Sequence, residues 1–143
     1  MNDLEKAKSL LIQNHLTLII IKRGETLFET KSNRISGFLN AIEQLGKKLE
    51  DAAVADKVAG KAVALLCVYS GINAVYAEIL STKAKEVFEK NRITHQWKTL
   101  VENILDQNRQ DTCPFEKEAK TVTSPNEAYE RFNILKQRMI HCR

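Results

Sequence analysis

The stretch "VADKVAGKAVALLCVYSG", residues 54 to 71, is apolar on almost every side, and it restricts the fold more than any other segment. A helix with no polar face must be buried all round, which requires a sheet on one side and further helices on the other. The expected helix starts near Asp56 and ends at Gly71, a glycine suited to the left-handed residue that closes a helix. "NAVYAEIL" follows at once and reads as a buried strand. The polar residues at the helix start, Asp56, Lys57, Gly60 and Lys61, then need a reason to be there.

The flanking segments supply the rest of a layered fold. Leu4, Ala7, Leu10 and Leu11 recur at helical spacing over residues 2 to 13. "HLTLIIIK" is a β-branched strand, "RGE" a glycine turn and "TLFETK" its antiparallel partner. A second helix, capped by Ser32 or Asn33, carries the stripe Ile35, Phe38, Leu39, Ile42, Leu45 and Leu49. Ser81 or Thr82 caps a helix running to Lys90, with Asn91 in the left-handed turn. "ITHQWK" is a further strand with Ile93, His95 and Trp97 on one face, where His95 and Trp97 read as core and sheet cover. "DQNRQDT" is a polar loop. "CPFEKEA" opens a short helix with Pro114 first, and Ser124 with Glu127 forms a capping box for the last helix.

These elements predict one α/β domain over residues 1–143. Its mixed sheet has four or five strands, an N-terminal antiparallel hairpin followed by parallel strands, with helices on both faces. The 22 basic and 18 acidic residues give a net charge of +4 and are interspersed. That pattern argues against a dedicated nucleic-acid surface and leaves room for a small anionic ligand. No apolar run approaches the length of a membrane span, and "MNDLEKAKSL" lacks the order of a signal peptide. Cys67, Cys113 and Cys142 form no CxxC pair and no finger-like spacing with His15, His95 or His141. A cytoplasmic protein with reduced thiols, no metal and no cofactor is expected.

Topology then brings three segments together. A tight turn at Gly71 makes the buried helix antiparallel to the following strand, so residues 56 to 61 lie beside that strand's far end, Glu78 to Thr82. The loop after the next parallel strand leaves from the same edge and leads to Cys113. Ligands of open α/β sheets bind at this carboxyl edge, where helix N-termini present N–H groups to an anion. Asp56 reads first as a helix cap and Lys57 as solvated. Lys61, among apolar neighbours, either snorkels out or serves a ligand or a reaction. Gly60 costs about 1 kcal/mol against alanine inside a helix, which a close contact would offset. Cys113, ahead of Pro114 at a helix start, has the setting that lowers a thiol pKa, although most lone cysteines are inert core. Glu78 is either a general base or paired with a lysine. A P-loop is excluded, since positions 55 and 62 are both alanine.

"ADKVAGKAVALLCVYSG", "VYAEILS" and "CPFEKEA", in this order, resemble a small prokaryotic family of unknown function with a cytidine deaminase-like fold. The resemblance runs from about Leu4 to Phe132 and implies a three-layer α/β/α sandwich. Deaminases of this fold carry His-x-Glu or Cys-x-Glu at the start of one helix and Pro-Cys-x-x-Cys at the next, holding zinc and its water. The corresponding segments here read "DKVAGKA" and "STKAK", without those ligands. The resemblance therefore implies the fold without zinc-dependent deamination.

Two readings of function follow. The first is a cleft for a small anionic, nucleotide-derived ligand, bound through Lys57, Gly60, Ser81, Thr82 and Glu78, with Cys113, Asp56 and Lys61 as candidates for chemistry. The second is a non-enzymatic structural or interaction domain that uses Tyr129, Phe132, Ile134 and Leu135 of the last helix. A homo-oligomer is compatible with either.

Overall fold

The computed structural model describes residues 2–32, 35–104 and 114–141. The chain runs α1 (Asp3–Gln13), β1 (Leu18–Lys22), β2 (Glu25–Thr30) and α2 (Ser36–Leu45), which ends in a 3-10 turn at Gly46–Leu49. It continues with β3 (Ala53–Ala59), α3 (Lys61–Ser70), β4 (Ala74–Ser81), α4 (Thr82–Lys90), β5 (Thr94–Val101), α5 (Pro114–Ala119) and α6 (Pro125–His141). The sheet has five strands in the order β2-β1-β3-β4-β5. β1 is antiparallel to both β2 and β3, whereas β3, β4 and β5 are parallel.

Two apolar clusters, one on each face, hold the layers. Ile19, Ile21, Ala55 and Tyr76 pack with Leu4, Ala7 and Leu11 of α1. On the other face Leu18, Ile20, Val54 and Val75 pack beneath α2, α3, α4 and α6, with Phe38, Leu66, Phe88 and Phe132 all at most 1% exposed. The alternation of Ile19 and Ile21 against Leu18 and Ile20 is the period-two pattern of a strand buried on both sides. Among the described residues no helix is long and apolar enough to cross a membrane.

Several expectations are overturned. Residues 53 to 59 form the central strand, not the first turns of a helix, and α3 begins only at Lys61. A short apolar run buried on both faces loses its alternation, so periodicity does not separate strand from helix. Asp56 is therefore a strand residue and caps nothing. The buried helix does end at Gly71, with φ at 75°. Arg92, with φ at 57°, takes the left-handed turn expected of Asn91. α2 starts at Ser36 with no side-chain cap, so Ser32 does not cap it, and Asn33 and the "DQNRQDT" loop lie outside the described residues. Ser124 does cap α6, accepting from the Glu127 N–H at 3.2 Å, but the Glu127 carboxylate turns to Arg131 instead of completing the box.

α6 is largely spent on the core. Phe132 is fully buried against Phe115 with ring centres 6.0 Å apart, and Tyr129 stacks on Tyr69 of α3 at 4.5 Å. Leu135 packs against the same cluster, while Ile134 is exposed.

Candidate functional site

At the carboxyl edge of the parallel strands β3 gives way to α3 and β4 to α4, with no intervening loop. The antiparallel β1 starts at this same edge. Leu18 pairs with Asp56, and the Lys57 N–H donates to the Thr17 carbonyl at 2.9 Å. α5 is drawn in by one side chain, Glu116, whose two oxygens accept from the Lys61 N–H at 3.1 Å and the Ala62 N–H at 2.8 Å. A helix start leaves N–H groups without intrahelical partners and carries partial positive charge, so a carboxylate there is stabilised twice. Here it arrives from 55 residues away.

This contact explains Gly60. A Cβ built at that position would lie 2.2 Å from Glu116 Oε1 and 2.4 Å from its Cδ. The Gly60 backbone, with φ at −103°, is open to any residue. What the position needs is the space, since the carboxylate stands where a side chain would begin. Burial pushes the Glu116 carboxyl up. The Ala62 and Lys61 N–H groups, then the Lys83 and Lys61 charges, pull it back. Arg131 of α6 bridges Glu118 at 2.8 Å and Glu127 at 3.1 Å, tying α5 to α6 and holding Glu116 in register.

The predicted site residues divide. Lys61 is half-buried, and its Nζ donates to the Val122 carbonyl at 3.3 Å, so its ammonium braces the turn between α5 and α6. Ser81 is buried, and its Oγ accepts from the Ala84 N–H at 3.1 Å as a conventional cap, with Thr82 as the first residue of α4. Lys57 is exposed. Glu78 lies on the α1 face beside Tyr76, whose hydroxyl is raised by burial and then by the Glu78 charge. Asp56, which pairs with Ala77 of the opposite cluster, is on the other face. Cys113 lies outside the described residues, although its neighbour Pro114 opens α5 at this edge.

Asp56 is the unusual group. Half-buried on β3, it has a carboxyl pushed by burial to a pKa of about 7, only partly offset by the N–H groups of Val58 and Lys57. The Val58 N–H stands 3.3 Å from Oδ1. Burial pushes up the thiol of fully buried Cys67 in α3, and the Asp56 charge adds to that, so Cys67 is no nucleophile at neutral pH.

Sequence reasoning assigned Glu116 only its place in α5. The signal for its role was Gly60 directly ahead of a buried helix, but nothing local identifies a partner so far along the chain. A concavity of about 330 Å³ lies at the opposite, amino edge, where Ala53, Ala74 and Thr94 begin their strands. Asp3, which borders it, accepts from the Arg23 and Gly24 N–H groups at 2.9 Å. Among the described residues no group of three or more His, Cys, Asp or Glu side chains is placed to hold a metal ion.

No curated protein matches the chain. Among solved structures it is similar to a DUF1893 family protein, TM1506, from Thermotoga maritima, with a TM-score of 0.82 and 23% identity over 94% of this chain and 90% of that one. At that identity the likeness shows a shared fold. The sequence profile of TM1506, described as a domain of unknown function (DUF1893), matches residues 6–136, and the chain therefore belongs to the DUF1893 family.

Proposed function

We propose that the protein is a cytidine deaminase-like domain without zinc-dependent deamination, binding a small anionic, nucleotide-derived ligand at the carboxyl edge of its sheet. The fold assignment is supported by the strand order β2-β1-β3-β4-β5, a hairpin followed by parallel strands linked through α3 and α4. The two helix starts that carry zinc ligands in deaminases here begin with Gly60-Lys61-Ala62 and Ser81-Thr82-Lys83. Glycine offers no donor, the Ser81 hydroxyl already accepts the Ala84 N–H, and protonated lysine has no lone pair. That donor set does not fit zinc, and no step is assigned to a metal.

The observation that carries the binding proposal is Asp56. A half-buried carboxyl titrating near neutrality, midway along β3 beside the first residue of β1 and beneath α3, can hold or release a proton close to a ligand bound at this end of the sheet. Lys57, Lys61 and Lys83 supply positive charge along that rim. The rival reading, a structural or interaction domain, also has a specific support, because Glu116 already gives the α3 N-terminus an internal anion.

Thermal unfolding with nucleoside monophosphates, nucleotide sugars and inorganic phosphate, together with native mass spectrometry of protein taken directly from cells, tests the binding reading. The expected result is a salt-sensitive rise in Tm for at least one compound, or a co-purified anion, with the rise falling above about pH 7 in wild type but not in Asp56→Asn. No shift with any compound and a ligand-free mass would leave the structural reading standing.

A further inference from the structure

We infer that β5 is a self-association surface through which two copies of the chain join their sheets, edge to edge and antiparallel, about a two-fold axis at Leu100. Among the described residues β5 ends the sheet order, hydrogen-bonded to β4 along one edge only. It is also the least covered strand, with six of its eight residues exposed. Trp97 is 39% exposed and Leu100 41%. Exposed edge strands pair with other strands unless blocked, and Lys98 is the usual sort of block.

Charge selects the occupant and the register. A two-fold axis normal to a continuous sheet places each residue opposite a partner residue of the same face, so the axis passes through a residue. Centred on Lys98, the pairing sets two ammonium groups against each other. Centred on Thr99, it sets Lys98 against the partner's Leu100. Centred on Leu100, it sets Lys98 against the partner's Glu102, one residue past the end of β5, and Glu102 against the partner's Lys98, with the two Leu100 side chains between them and Thr99 against the partner's Val101. Opposite charges and apolar pairs directly across antiparallel strands stabilise, whereas like charges destabilise. The sequence "WKTLVEN" is thus self-complementary in one register. The residue that would block a foreign strand becomes an ion-pair donor to a second copy. Beside this edge, Lys85 Nζ lies 5.6 Å from the Trp97 ring and His95 stacks on it at 5.9 Å.

The full-length chain, followed by sedimentation velocity over a concentration series, should show a reversible dimer. Lys98→Glu and Glu102→Lys should each weaken it roughly tenfold or more, because symmetry turns both ion pairs into like-charge pairs at once. Mixed in equal amounts, these two variants should assemble with each other, since every cross-strand charge pair is then opposite, and the double variant should dimerise like wild type. Circular dichroism confirms that each variant is folded, as exposed strand positions allow. A wild type that is monomeric at its highest soluble concentration overturns the proposal. So does a dimer indifferent to both single variants, or single variants that fail to rescue one another.

Discussion

Replacing Gly60 by alanine sets two opposing effects against each other. At φ −103° and ψ −171° alanine fits without backbone strain. The change would then stabilise by about 0.4–1 kcal/mol through the unfolded chain alone. The space is the obstacle, since the new Cβ would fall 2.2 Å from Glu116 Oε1, and Glu116 is only 9% exposed. The carboxylate must leave. Losing a helix cap costs about 0.5–2 kcal/mol. Stranding a buried carboxylate, or the N–H groups it served, adds about 1–3 kcal/mol. With the entropic gain subtracted, Gly60→Ala should cost about 1–4 kcal/mol, opposite in sign to the usual effect at an unstrained glycine. Urea unfolding should show this as a lower midpoint at unchanged slope. Glu116→Ala supplies the control, because it removes both the cap and the obstacle. Gly60→Ala added to Glu116→Ala should cost nothing further, leaving a coupling energy of at least about 1 kcal/mol. A Gly60→Ala protein as stable as wild type, or costs that simply add, would refute the account of Gly60.

Asp56 gives a pH signature. Its folded pKa near 7 exceeds the unfolded value near 4, so its contribution to stability is full below about pH 4 and lost as pH rises through about 7. Asp56→Asn should therefore be close to wild type at pH 4 and more stable at pH 8, by at most about 4 kcal/mol, and an unchanged difference between those pH values would contradict the assignment. Lys61→Met keeps the stem but loses the bond to the Val122 carbonyl, so it should cost about 0.5–1.5 kcal/mol and, by removing one charge of the rim, weaken any anion-dependent rise in Tm. Full retention of that rise would make Lys61 a brace only.

Legibility followed locality. The β1–β2 hairpin is written in a β-branched run and a glycine turn, and Gly24 with φ at 80° and Arg23 with φ at 52° form that turn. β4, α4 and β5 were equally legible, because Ser81 caps α4 by a bond three residues long. β3 was not. "AVADKVA" is rich in alanine, a strong helix former, and sits between β1 and β4 with both faces covered, so propensity and period both pointed the wrong way. Moving the start of α3 from Asp56 to Lys61 leaves that helix start at the carboxyl end of the strands, beside the start of α4, while Asp56 itself lies midway along β3 and Cys113 lies outside the described residues. The meaning of the polar residues did not survive. Asp56 passed from helix cap to half-buried strand carboxyl, and Gly60 from helix interior to the gap that admits Glu116.

That gap also bears on how an anion can bind here. A phosphate or carboxylate arriving at the α3 N-terminus competes with Glu116, which is covalently part of the chain and always present. Displacing a cap worth about 0.5–2 kcal/mol lowers an incoming ligand's affinity roughly 2- to 30-fold. It also leaves Glu116 beside the new negative charge, which costs more. The proposed ligand is therefore better served by the neighbouring rim, where Thr82 and Lys83 open α4, and Asp56, deeper in the sheet midway along β3, is largely protonated below about pH 7 and adds little repulsion. Rising pH removes that proton, so anion affinity at this edge should fall as Asp56 ionises. The internal anion at α3 and the protonated carboxyl at β3 thus act differently on a ligand. Glu116 closes one helix start to it, and Asp56 makes its approach to the next dependent on pH.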